Sequence, residues 1–183
     1  MAYTARMEAY AEQEAELARI NALLLKEDHE HFADTFTLGD RYRLEGGLGI
    51  RFGSPLRRIG DFTPDEPFAL KLEALPPPFT EGTYEITLAP DRTPIRVAGF
   101  LPDPNGDHFK TVSEALRAKY GTPMKDGKTH KIYKVNGNFV IARNNTRAGH
   151  LDIVFIDNQA SKDQKEREKA RKHAEWEEET AGL

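Results

Sequence analysis

Residues 107–123 read DHFKTVSEALRAKYGTP. Phe109, Val112, Leu116 and Tyr120 recur at three- and four-residue steps, the spacing that puts apolar side chains on one face of a helix. Asp107 is placed to cap the first turn. Gly121 can take the left-handed conformation that ends a helix, and Pro123 prevents its resumption. The spacing therefore predicts a helix over 107–120 with short β-like runs on both sides. The simplest arrangement lays that helix across an antiparallel sheet.

Downstream, Asn136-Gly137 is a strong hairpin signal between His130–Val135 and Asn138–Arg143. A two-residue loop pairs Val135 with Asn138, Lys134 with Phe139 and Ile132 with Ile141. Tyr133, Val135 and Val140 then share one face, and Ile132, Phe139 and Ile141 the other. The run Leu151–Ile156 is apolar at five of six positions and reads as a strand needing cover on both faces. We expect the central helix to cover one face and a terminal helix the other.

Upstream, three alternating runs read as strands: Phe68–Leu72, Tyr84–Leu88 and Ile95–Val97. Pro76, Pro77 and Pro78 predict a stiff connection after the first. Before them, Leu48, Ile50 and Phe52 alternate as a strand would, among glycines at 46, 47, 49 and 53. No Lys-Ser or Lys-Thr and no helix follows those glycines directly, which argues against a phosphate-binding loop and for bends around a strand. Ser54-Pro55 predicts a turn of helix over Pro55–Ile59.

The ends differ from the middle. Residues 1–39 carry 3 basic and 8 acidic side chains, a net of −5, and contain no Gly before Gly39. Tyr3, Met7, Tyr10, Leu17, Ile20 and Leu24 form a helical stripe broken at Glu14. Leu23, Leu24 and Leu25 offer more apolar surface than one stripe can bury. The last 25 residues read as a helix polar on all sides, with Ser161 and Gln164 spaced as a capping box. The expected fold class is α+β: six or seven antiparallel strands in two sets around helix 107–120, with long helices at both ends. The expected organisation is an N-terminal helix at 1–33, a core at 40–158 and a charged C-terminal helix or tail at 159–183.

A net charge of −4 argues against a generic nucleic-acid binder. With no cysteine there is neither a disulfide framework nor a thiolate metal site. No signal-peptide core or membrane-length apolar run occurs, so a cytoplasmic location without membrane contact is expected. Asp103-Pro-Asn-Gly-Asp107 imitates a calcium loop, but His108 stands where the sharp turn needs glycine. The better reading is a turn leading into the helix. His29 and His31 are two residues apart on a helix and diverge by about 200°, so they cannot share an ion. No motif calls for a cofactor, and no nucleophile elbow, kinase signature or zinc-protease motif appears.

These readings favour a non-catalytic interaction protein of adaptor or inhibitor type. It is expected to bind its partner through its helical ends and a basic hairpin, with contacts at Leu23, Leu24 and Leu25 on the N-terminal helix and at Lys131, Lys134, Arg143 and Arg147 on the hairpin. A protein partner is expected, with a homo-oligomer through the N-terminal helix as one form. The alternative is a nucleic-acid-associated protein touching phosphates through residues 125–150. A small-molecule enzyme with groups converging from distant positions is third.

Overall fold

A computed structural model describes residues 2–56, 68–69 and 79–181. The elements run α1 (Ala2–Phe36), β1 (Thr37–Leu38), β2 (Gly46–Gly47), β3 (Ile50–Arg51), β4 (Phe68–Ala69), β5 (Thr83–Leu88), β6 (Pro94–Pro102), α2 (His108–Tyr120), β7 (Lys125–Asp126), β8 (His130–Val135), β9 (Asn138–Asn145), β10 (His150–Ile156) and α3 (Asn158–Ala181). The fold is α+β. Seven antiparallel strands lie in the order β4-β5-β6-β10-β9-β8-β7, and β1-β2-β3 form a small second sheet. The two predicted strand sets join where β10 returns beside β6, in register from His150 opposite Pro102 to Ile156 opposite Arg96.

Hairpin β8–β9 has the predicted register, with Val135 opposite Asn138 and Ile132 opposite Ile141. Asn136 and Gly137 both take positive φ, 48° and 85°, as the right-handed twist of the flanking strands requires. Tyr133, Val135, Val140, Ile153 and Phe155 fill the face beneath α2 together with Val97 and Leu101. Phe109, Val112 and Leu116 meet them from the helix, as the spacing predicted, and Gly121 ends it at φ 76°.

Several expectations are corrected. Asp107 lies in helical conformation and its side chain caps nothing. The buried Asp103 does that work, accepting from the His108 amide at 3.3 Å. At α3 the cap is Asp157, which accepts from the Ala160 amide at 2.9 Å, so the helix begins ahead of the Ser161 box. The expected strand through Leu48, Ile50 and Phe52 is a tight hairpin instead. Leu48 and Gly49 turn it with φ 51° and 77°, Gly47 sits under the Phe155 ring, and the Leu48 side chain lies over Gly99. Tertiary seating overrides the poor fit of leucine to positive φ.

The expectation that a terminal helix covers the second face fails too. The end of α1 packs beside α2 on the same face, through Phe32, Ala33 and Phe36. No side chain of α3 is buried. The second face carries half-buried Phe100, Ile132, Phe139, Ile141, Val154 and Ile156. The predicted continuation of the strand to Leu72, the three prolines and the helical turn beyond Leu56 lie outside the described residues.

Candidate interaction surfaces

Helix α1 divides into a seat and an arm. In the seat, Phe36 is fully buried and its ring meets those of Phe32 and Phe79 at 4.9 and 5.9 Å. Buried Lys119 of α2 reaches across, pairing with Asp34 and donating to the Thr37 hydroxyl at 2.7 Å. His29 and Glu30 add pairs to Glu114 and Arg41.

Ahead of His29 every described side chain of the helix is exposed. Met7, Tyr10, Leu17, Ile20, Leu23, Leu24 and Leu25 are all between 42% and 60% exposed. A helix of 35 residues extends about 52 Å, far more than its seat requires. Leu23, Leu24 and Leu25 thus stand on the exposed arm rather than over the sheet.

The basic hairpin residues do not form one surface. Strand register puts His130, Lys134 and Arg143 on one face and Lys131 on the other, because odd separations along a strand alternate faces. Arg143 is engaged: its Nε donates at 2.6 Å to Asp152, which is only 1% exposed, and its Nη2 binds the same oxygen. His150 closes that cluster, with Nε2 at 2.8 Å from Asp152 and Nδ1 at 3.1 Å from the Ala148 carbonyl. The cluster is held together by its own members. Arg147 is exposed on the β9–β10 turn, and Lys134 borders a cleft of about 390 Å³ with Arg41, Tyr42 and Tyr120.

Lys131 instead faces α2. A cleft of about 380 Å³ lies between them, lined by Phe109, Lys110, Ser113, Glu114 and Arg117 of α2 and by Lys128, Lys131 and Tyr133. Arg117 Nη2 lies 2.5 Å from Asp126 Oδ2, and Lys131 binds the other oxygen of the same carboxylate. The Lys131 hydrogen bond, aided by the Arg117 charge, holds the Asp126 carboxyl below its ordinary range. The Tyr133 hydroxyl donates to the Ser113 carbonyl at 3.0 Å, and burial pushes its phenol up to about 12. The sequence reading missed Lys110, Arg117 and Asp126 as members of this group. Lys110 and Arg117, two turns apart beside the apolar stripe of α2, were the available signal.

Among the described residues no group of three or more acidic or histidine side chains is arranged to hold a metal ion. Nor is any described helix long and apolar enough to cross a membrane. No family model, curated protein or solved structure matches the chain.

Proposed function

We propose that this is a non-catalytic interaction protein whose partner-binding element is the arm of α1. One observation carries the reading: seven large apolar side chains between Met7 and Leu25 stand half exposed on a helix whose anchor lies elsewhere. Large apolar side chains grouped on one exposed surface and rimmed by charge are a usual mark of a docking face. Tyr10, Leu17 and Leu24 repeat every seven residues, the period of helix-to-helix seams, with Asn21 and Glu14 between them as polar positions that select partner and register. Residues 1–39 carry a net charge of −5, so two copies side by side would repel. The partner that fits is a different protein offering an apolar helix or groove with basic flanks.

The test uses two synthetic amphipathic helical peptides with the same leucine seam, one lysine-flanked and one glutamate-flanked. The full chain should bind the lysine-flanked peptide, and Leu17→Ser/Leu24→Ser should abolish binding while leaving the unfolding midpoint unchanged. Sedimentation of the full chain at low salt should show a monomer. Equal binding by wild type and variant would refute the arm as the docking element. A stable dimer lost in the same variant would show that the occupant is a second copy.

A further inference from the structure

We propose that the cleft between α2 and β7–β8 binds a phosphate monoester, and that Asp126 is its built-in competitor. Two cations from different elements converge on one carboxylate there, Arg117 on Oδ2 and Lys131 on Oδ1. That is a bidentate anion site already holding an anion. Asp126 belongs to a two-residue edge strand and is exposed, so its carboxylate, bound to two cations that line the cleft, can be displaced without opening the core.

The cleft has charge to spare. Lys110, Arg117, Lys128 and Lys131 line it against Glu114 alone, so cations exceed acids even after Asp126 is counted. Glu114 is itself divided between Lys110 at 3.9 Å and His29 at 3.8 Å. Exposed Lys128 makes no ion pair or hydrogen bond with any described residue. A tetrahedral dianion with three free oxygens can take Arg117, Lys131 and Lys128 together, whereas the planar, singly charged Asp126 takes two.

Size and floor select the rest of the ligand. A volume of about 380 Å³ sits at the small end of small-molecule clefts, which suits one phosphoryl group with a compact organic body and not a nucleic-acid duplex. The floor of Phe109 and Tyr133 is aromatic, and the Tyr133 phenol stays neutral, its hydroxyl donating to the Ser113 carbonyl. Nothing on that floor repels an aryl or sugar ring. This reading is independent of the arm, which lies on other residues.

The probe is phenyl phosphate at about pH 8, where it is a dianion, titrated in about 50 mM salt and followed by amide shifts or calorimetry. Benzoate is the single-charge control, and a single-stranded oligonucleotide the polyanion control. Wild type should bind the phosphate and bind benzoate at least about tenfold more weakly. Asp126→Asn should tighten binding by about five- to thirtyfold, because the competitor is gone while the cations remain. Lys128→Ala should weaken it by about tenfold, and since Lys128 has no hydrogen-bond or ion-pair partner among the described residues, an unchanged melting midpoint in this variant is expected alongside. Failure of Asp126→Asn to tighten binding, with an unchanged melting midpoint, would overturn the competitor role. An unaffected affinity in Lys128→Ala, or an oligonucleotide preferred by tenfold or more, would overturn the small-ester site.

Discussion

Gly47→Ala is a severe test of the packing around the small hairpin. A Cβ at Gly47 would lie 2.2 Å from Cδ2 and 2.3 Å from Cγ of Phe155. Carbon atoms pack at about 3.5–4.0 Å, so the overlap exceeds about 1 Å. The ring cannot yield, because Phe155 is fully buried among the core side chains. The hairpin must lift instead, straining the hydrogen bond that the Leu48 N–H donates to the Phe36 carbonyl at 2.8 Å. Overpacking of this kind costs about 1–3 kcal/mol, read as a fall in the urea midpoint at unchanged slope. Gly49→Ala is the control: its Cβ meets open space, and only the φ of 77° opposes it, which costs about 1 kcal/mol. The decisive measurement is the double mutant with Phe155→Leu, which should recover at least about 1 kcal/mol of the loss expected from the two single changes. A loss below about 0.5 kcal/mol in Gly47→Ala, or no coupling, would mean the hairpin is not seated on Phe155.

Burial moves the Tyr120 and Tyr133 phenols from 10.0 to about 12. Between those values the unfolded chain releases protons that the folded chain keeps, so stability should be full below about pH 10 and fall as pH rises through the window. Urea midpoints across that range should fall less steeply in Tyr133→Phe, and an identical slope would refute the burial of that hydroxyl. Arg143→Ala should cost about 1–3 kcal/mol by leaving buried Asp152 with His150 alone, whereas Arg147→Ala should stay within about 0.5 kcal/mol. Equal effects in thermal unfolding would contradict the assignment of Arg143 to a structural cluster.

Local chemistry made much of this fold legible. Asn136-Gly137 set a two-residue turn, and with it the register of every residue on β8 and β9. The stripe from Phe109 to Tyr120 identified the buried face of α2. What escaped the sequence depended on contacts across the chain. Leu48 reads as a strand residue by propensity and turns only because Phe155 and Gly99 receive the hairpin. Asp103 outcompetes Asp107 as a cap because the end of β6 brings it under the first amides of α2. Along α1 the apolar stripe is visible in the sequence, but a stripe is the same whether covered or exposed, and only the fold decides which. The α2 cleft joins residues about 20 positions apart in sequence, and no spacing rule links them.

The continuity of α1 from seat to arm fixes something beyond reach. At about 100° per residue, Phe32, Ala33 and Phe36 point roughly a third of a turn away from the line of Tyr10, Leu17 and Leu24. The two sets of side chains are therefore timed to each other like teeth on one shaft. The exposed line of the arm therefore stands at a set azimuth to the seat. One residue inserted between Leu25 and His29 would swing the apolar line by about 100° without disturbing the seat, whereas seven would return it to within about 20°. The length of helix between Leu25 and the seat is thus itself a specification of the direction in which the exposed apolar line is aimed.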